Sequence, residues 1–264
     1  GGLLSDAEVF GNLENDRTEM FLEAINHVLA IWSDSPPYNL KGKYWNITTE
    51  KTLIENLGQG VIGKPYQKPH PPIVVTAVAP FSKGVKAAAK RGWSPISANF
   101  LQPQWVASHW PKYVEGCESV GLDPDVKNWR IAKSIFVADD DKTAEKYGVG
   151  EDGPYHFYFN SLFTKLKANG RANLFKTYRE QSDEELNVPT VVDQLVIRGS
   201  VNKVVDDILA FREVTGDFGT LLYAGHDWQD KALARRSMEL MALEVMPRIN
   251  DAIESPMVQS DLGP

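Results

Sequence analysis

The residues best suited to bind a ligand form the segment Ala79–Ser82, which joins a predicted strand directly to a predicted helix. Free backbone N–H groups in the first turn of a helix, together with a hydroxyl such as that of Ser82, can hold a phosphate. Serine at this position is equally a common N-cap, whose side chain accepts a hydrogen bond from its own helix. The sequence leaves both interpretations open, a phosphate ligand and a plain helix cap.

A second candidate is His226, which follows the last predicted strand and precedes Asp227. Because the ordinary histidine pKa lies close to neutral pH, this side chain could donate or accept a proton in a reaction. Neighbouring loop residues need not face each other, so a structural role in the loop is the alternative. Three other histidines lie in two predicted helices and a proline-rich loop, where structural or exposed roles are more common: His27, His109 and His70.

Alternating strands and helices have to position these candidates. The run Ile73–Val78 is continuous and rich in β-branched residues, which is typical of a strand buried on both faces of a parallel sheet. The apolar spacing predicts further strands at residues 95–99, 129–137 and 219–224. It predicts helices at residues 17–33, 82–91, 104–120, 201–214 and 229–246.

Two stretches are less regular. Residues 34–72 are rich in proline with a short predicted strand at 43–47, and residues 142–196 are predicted to be helical and irregular. The alternation of strands and helices indicates an α/β protein with a parallel sheet, either doubly wound or closed as a β/α barrel. We predict one domain over residues 1–264. In such folds the loops after the strands carry the chemistry, and here these loops are 79–82, 98–103, 138–141 and 224–228.

Composition excludes several classes of protein. Lys and Arg total 28 against 35 Asp and Glu, and this acidic balance argues against binding to nucleic acid. The single cysteine, Cys117, excludes an internal disulfide framework and a thiolate-rich metal site, and we expect no metal. No apolar run approaches the roughly 18 residues that a membrane span needs, so we expect a cytoplasmic protein that does not bind membranes.

Several segments resemble, in order, the bacterial luciferase-like flavin monooxygenases. The segment after the family's fourth barrel strand resembles GGLLSDAEVFGN, followed by Arg17 and Glu23. The family's fifth strand, phosphate loop and fifth helix resemble PPIVVTAVAPFSKGVKAAAKRG. The entry into the helix before the last strand resembles IRGSVNKVVDDI, and the eighth strand and terminal helix resemble FGTLLYAGHDW and EVMPRIND. The triplet His226, Asp227 and Trp228 is similar to that of the limonene 1,2-monooxygenase type within the family.

The resemblance implies a (β/α)8 TIM barrel of which this chain covers only strands 5–8, their helices and the helix after strand 4. We expect a fragment of a longer protein, the alternative being a second chain that supplies the other half. Residues 150–196 correspond to the family's variable insertion between strands seven and eight, which is often a mobile lid. Its aromatic cluster suits a lid over an apolar substrate, and an aromatic helix that packs on the barrel is the alternative.

The function that the resemblance implies is oxygenation with reduced FMN supplied by a separate flavin reductase. One oxygen atom of dioxygen would enter a small apolar organic substrate, a terpene, ketone or aldehyde, and the enzyme would be a homodimer. The alternatives are a non-catalytic flavin-binding or structural half-barrel subunit and a deazaflavin-dependent oxidoreductase of the same fold.

The resemblance also assigns roles to individual residues. Gly1 falls where luciferase carries a phosphate-binding arginine, which leaves the phosphate charge to the helix dipole and to Lys83. Asn99 could donate to a ring carbonyl of the flavin, or be an ordinary satisfied side chain at a strand end. His226 would protonate or stabilise a peroxyflavin. The cofactor-binding and lid residues that the family pattern implies are Gly2, Leu3 and Leu4 along the ribityl chain; Ala79, Phe81 and Ser82 at the phosphate; Ser97, Ala98 and Asn99 beside the ring; and Tyr155, Phe157, Tyr158 and Phe159 in the lid.

Overall fold

The structure is a computed structural model that describes residues 3–226 and 229–254. The chain forms two compact units, Gly1–Ile73 and Val74–Pro264. The single domain that the sequence predicts over residues 1–264 stays a prediction. None of the helices in the described ranges is long and apolar enough to cross a lipid bilayer.

The first unit contains two helices and a small hairpin. Helix α1 spans Leu4–Val9 and helix α2 spans Arg17–Ser33, while strands β1 (Asn39–Lys41) and β2 (Asn46–Thr48) pair antiparallel. The strand expected at 43–47 is therefore mostly the turn of this hairpin. The Glu23 carboxylate fixes that turn, because it accepts hydrogen bonds from the three consecutive amides of residues 43–45.

The second unit carries a five-stranded parallel sheet. Its strands are β3 (Val74–Ala77), β4 (Ser94–Ser97), β5 (Arg130–Val137), β6 (Val196–Gly199) and β7 (Thr220–Ala224). Its helices are α3 (Lys83–Ala89), α4 (Pro103–Ala107), α5 (His109–Glu118), α6 (Asp141–Val149), α7 (Pro154–Ala168), α8 (Val188–Leu195), α9 (Val201–Thr215), α10 (Lys231–Leu240) and α11 (Met246–Glu254). A π-helical turn at Met241–Val245 links the last two helices.

The strand order is β3-β4-β5-β6, and β7 also pairs with β5. Every pairing in this sheet is parallel, which confirms the α/β class and the parallel sheet. The sequence missed β6, a four-residue strand between α8 and α9. The expected burial of the first strand on both faces is wrong: Val74 is 41% exposed, because β3 has a hydrogen-bonded neighbour only in β4 among the described strands.

Strand β5 is the centre of the second unit. It pairs with β4, β6 and β7, and six of its eight residues are buried. Ile131, Ile135 and Val137 lie in one apolar cluster with Val204 and Ile208 of α9. Because side chains alternate along a strand, Ser134 and Phe136 point to the opposite face. Strand β5 thus directs Ser134 and Phe136 to the face that does not pack against α9.

Candidate active site

Polar side chains from three neighbouring strands meet at the carboxyl edge of the sheet. Asn99 follows β4, Ser134 belongs to β5 and His226 follows β7. The Ser134 Oγ lies 2.8 Å from His226 Nε2, and Asn99 Nδ2 lies 2.9 Å from Ser134 Oγ and 3.4 Å from His226 Nε2. The hydroxyl of Tyr158, on α7, donates to Asn99 Oδ1 at 3.2 Å. We call these four residues the His226 cluster.

The hydrogen bonds determine the state of His226. The Asn99 amide nitrogen is only a donor and lies 3.4 Å from His226 Nε2, which favours Nε2 as an acceptor and directs the Ser134 hydroxyl proton to it. The ring proton of the neutral imidazole therefore lies on Nδ1. Burial lowers the pKa of His226 from 6.5 to about 4, so the ring is neutral at pH 7. The expected titration near neutral pH is wrong, because burial penalises the imidazolium.

Aromatic rings hold the imidazole in place. The Tyr158 ring stacks on His226 with centroids 3.9 Å apart, and the Tyr155 ring meets it edge-on at 5.1 Å. Tyr155 is itself fixed, since its hydroxyl donates to the Ile135 carbonyl at 2.5 Å. A cavity of about 140 Å³ adjoins the imidazole, with Tyr155, His226 and Met238 among its lining residues. The site combines a neutral nitrogen heterocycle with apolar walls that limit access of water.

The four expected lid residues have different surroundings. Tyr155 and Phe159 are buried in α7, whereas Phe157 is 75% exposed and Tyr158 is a member of the His226 cluster. Two of the four thus pack as core residues, which agrees with the packing alternative for those two. A movement of this helix over a substrate stays a prediction.

The segment Ala79–Ser82 forms a tightly held turn between β3 and α3. The Ala79 carbonyl accepts from His109 Nε2 at 2.8 Å, and the Phe81 amide donates to Ser108 Oγ at 2.8 Å. These contacts hold Phe81 at φ 52°, in the left-handed region that non-glycine residues seldom occupy. Ser82 caps α3 by accepting from the Val85 amide at 3.3 Å, so its cap role is present.

His109 connects this turn to the core. Its Nε2 donates to the Ala79 carbonyl, so Nδ1 accepts from the Ser97 hydroxyl at 2.8 Å, and Ser97 Oγ accepts from Trp129 Nε1 at 2.9 Å. Ser97 is fully buried, with no exposed surface. Its hydroxyl is therefore committed to His109 and Trp129, and the place of Ser97 beside a flavin ring stays a prediction. Ala98, next along the chain, is also buried.

Replacing Ser108 with Ala removes the acceptor of the Phe81 amide. We expect Ser108→Ala to lower the free energy of unfolding by about 1–2 kcal/mol, since a partly buried amide loses its partner in a turn of unfavourable geometry. Urea unfolding would measure this effect. Ser119→Ala is the matched control: the Ser119 hydroxyl donates to the Gly116 carbonyl at the exposed end of α5, and its loss should change stability by less than about 0.5 kcal/mol. Equal effects of both substitutions would contradict the role of Ser108.

Unused donors and positive charge remain at the turn. Within residues 3–226 and 229–254, the amides of Ser82, Lys83 and Gly84 find no acceptor. The Arg179 guanidinium lies 5.0 Å from the Phe81 ring centroid, so a cation adjoins the side chain of this turn. Sequence reasoning missed Arg179, because about 100 residues separate it from the turn. It also missed Ser134, for which a polar residue inside an apolar strand was the available signal.

Other expected site residues lie in the first unit or outside the described ranges. Leu3 immediately precedes α1 and its carbonyl accepts from Arg17 Nη1 at 3.5 Å, while Leu4 begins that helix. Gly2, Asp227 and Trp228 lie outside the described residues. The contacts of Gly2, Leu3 and Leu4 with a cofactor stay predictions.

A parallel sheet with crossover helices and a polar cluster at its carboxyl edge defines an α/β protein of the kind that binds ligands at that edge. Sequence comparison then specifies the family. The chain belongs to the luciferase-like monooxygenases, whose family model matches residues 1–217. The resemblance inferred from the motifs is thereby confirmed.

Two curated relatives each match most of the chain. The 3,6-diketocamphane 1,6-monooxygenase of Pseudomonas putida is 26% identical over 253 residues, which are 93% of this chain and 65% of that protein. The 4-hydroxyprotoasukamycin monooxygenase of Streptomyces nodosus subsp. asukaensis is 30% identical over 190 residues, 70% of this chain and 48% of that protein. The chain spans less than two thirds of the length of either relative.

A solved structure is similar over almost the whole chain. It is a type II Baeyer-Villiger monooxygenase, the oxygenating constituent of 3,6-diketocamphane monooxygenase from the CAM plasmid of Pseudomonas putida, in complex with FMN. The TM-score is 0.77 at 26% identity, over 94% of this chain and 69% of that one.

Proposed function

We propose that this chain is part of an FMN-dependent monooxygenase that inserts one oxygen atom of dioxygen into a small apolar organic substrate. Reduced FMN would come from a separate flavin reductase. The observation that carries the proposal is the convergence of Asn99, Ser134 and His226 from three strands at the carboxyl edge of the sheet. Family membership and an FMN-bound relative of similar fold support it. A homodimer and a cytoplasmic location are further parts of the same proposal.

The residues at the Ala79–Ser82 turn fit the phosphate of FMN. Three amides without protein acceptors, the Ser82 hydroxyl and the cations Lys83 and Arg179 offer donors and positive charge to a dianion. Helix α3 has only seven residues, so its dipole contributes less than the sequence suggested, and the two cations take a larger share. Ala79 and Phe81 would give the phosphate site its shape. The Ala79 carbonyl is held by His109 of α5, and the Phe81 amide is held by Ser108, the residue before α5.

The flavin ring would lie beside the end of β4, where Ala98 allows close approach of a flat ring to the backbone. Bound FMN supplies the activation of oxygen. The protein's own residues would orient the ring and exclude water. The Asn99 side chain is satisfied by Ser134, His226 and Tyr158 and would hold the cluster in place. Tyr158 and Tyr155 would shield the site, and His226 would offer a neutral N–H donor at Nδ1. An apolar substrate suits these walls, and a terpene, ketone or aldehyde is the class that we favour.

We also propose that β3, β4, β5 and β7 correspond to strands 5–8 of a (β/α)8 barrel, with β6 as an additional short strand. Strands β3 and β7 each have a single hydrogen-bonded neighbour in the described part of the chain. Val74 and Leu222 on these strands are 41% and 49% exposed, as expected where further strands would cover them. The missing strands would come from a longer protein or from another chain.

The test measures FMN binding and then oxygen consumption by the full chain with reduced FMN and a panel of terpenes, ketones and aldehydes. Incorporation of one ¹⁸O atom from dioxygen into a product supports the proposal. Binding of FMN with release of peroxide alone across the panel would contradict it and favour a non-catalytic flavin-binding subunit. Tighter binding of a deazaflavin than of FMN would instead favour the hydride-transferring alternative.

Ser82→Asp tests the phosphate site. We expect FMN to bind at least about tenfold more weakly, because a carboxylate would face the phosphate dianion. Ser82→Asn is the matched control, since asparagine has the shape of aspartate and also caps a helix but carries no charge. The FMN affinity of this variant should stay within about threefold of that of the unchanged protein. Fluorescence quenching of FMN would give both affinities. Unchanged affinity in Ser82→Asp would exclude this turn as the phosphate site.

A further inference from the structure

Lys133 is a buried cation on the face of β5 opposite the His226 cluster. Its side chain is 3% exposed, and its Nζ lies 5.2 Å from the centroid of the Phe211 ring on α9. Side chains alternate along β5, so Lys133 points away from the neighbouring Ser134. Proposed flavin chemistry at the carboxyl edge therefore gives this lysine no role.

Among the residues that the structure describes, no carboxylate neutralises this lysine. In the described part of the chain, no acidic group lies within ion-pair distance of Lys133 Nζ, and burial alone lowers its pKa from 10.5 to about 8. Two carboxylates that line the same cavity already have partners: Asp193 pairs with Arg198 and Asp207 pairs with Lys203, each at 2.5 Å. An unpaired buried ammonium is unfavourable, and proteins normally provide such a group with a counter-ion.

A cavity of about 310 Å³ adjoins the lysine, and we call it the Lys133 cavity. Its apolar walls include Pro103, Val196 and Ile197, with Phe211 and Val214 on the side of α9. The paired residues Asp193, Arg198 and Asp207 also line it. The volume lies at the lower end of the range typical of small-molecule sites.

We propose that the Lys133 cavity binds a small monocarboxylate with an apolar tail, whose carboxylate pairs with Lys133 Nζ. The cation supplies the charge, and the walls formed by β6 and α9 receive the hydrocarbon. The carboxylates of Asp193 and Asp207 disfavour a second negative charge on the ligand, so a monoanion is preferred to a dianion. The proposal does not rest on flavin binding.

Hexanoate is the probe, and calorimetric titration of the full chain at pH 7 is the measurement. We expect hexanoate to bind at least about tenfold more weakly to Lys133→Met than to the unchanged protein, because methionine keeps the volume but lacks the charge. Lys90→Met, which removes an exposed lysine at the end of α3 that does not line this cavity, is the matched control and should alter affinity by less than about twofold. Hexanamide, the neutral analogue, should bind at least about tenfold more weakly than hexanoate.

A second readout follows Lys133 directly. Saturation with hexanoate should raise the pKa of Lys133 by about one unit or more, seen in the ¹³Cε resonance, because a tenfold preference for the charged amine corresponds to one unit. Three results would overturn the proposal: no binding of hexanoate, equal affinity of Lys133→Met for it, or equal affinity of the unchanged protein for hexanamide.

Discussion

Lys133→Met is expected to stabilise the protein at pH 7 by about 3 kcal/mol, an unusual direction for a substitution in a sheet interior. Burial lowers the pKa of Lys133 from 10.5 to about 8, so the folded state pays for an ammonium that the unfolded chain solvates freely. Between pH 8 and 10.5 the unfolded state binds the extra proton, and stability of the unchanged protein rises with pH. The gain from methionine is therefore full below pH 8 and fades towards pH 10.5.

Urea unfolding at a series of pH values from 7 to 10.5 would measure this difference. Lys90→Met serves again as the control, because Lys90 is exposed at the end of α3 and its removal should change stability little. A stabilisation that stays constant over the whole series would show that packing of methionine, rather than the charge, is responsible.

Under the proposed function, His226→Phe is expected to lower the product formed per oxygen consumed by about 100-fold, with peroxide released instead. Phenylalanine can keep the ring contacts with Tyr158 and Tyr155, but it lacks both nitrogens, so the contact with Ser134 and the N–H donor are lost. FMN affinity should remain within about threefold, since the phosphate site is elsewhere. Product analysis together with a peroxide assay would measure the ratio.

Phe157→Leu is the control for this substitution, because Phe157 is exposed on the same aromatic segment and should leave the ratio unchanged. The pH dependence gives an independent check. With a pKa of about 4, His226 stays neutral above pH 6, so the unchanged enzyme should show no titration of this group between pH 6 and 8. The neutral state of His226 would be contradicted by one result: the product ratio of the unchanged protein titrates with an apparent pKa near 6.5, and this titration is absent in His226→Phe.

The local patterns of the sequence predicted most of the strands and helices. The β-branched runs give β3 and β5 within a residue or two, and the apolar spacing of residues 17–33 gives α2 with the observed bounds. Strand β6 escaped notice because four residues between two helices carry too little periodic signal. Strands such as β3 and β5 and the helix α2 depend on residues close together in the chain, so the sequence alone can predict them.

Contacts between distant segments were not readable in this way. Ser134 and His226 are 92 residues apart, and nothing in either segment indicates that their side chains meet. The sequence could, however, have predicted which aromatic residues of α7 are buried. Tyr155, Phe159 and Phe163 recur every four residues and share one helix face. Phe157 falls outside that spacing, as its exposure shows.

The neighbouring positions of Lys133 and Ser134 also constrain how β5 can align with its partners. A slip of one residue would reverse the two side chains, placing an ammonium group against the imidazole and a hydroxyl in the hydrocarbon layer under α9. The slip would break the hydrogen bonds of Ser134 with Asn99 and His226, and the loss of these contacts penalises the misaligned pairing during folding. Hydrophobic residues alone would discriminate less, because isoleucine or valine can be accommodated on either side.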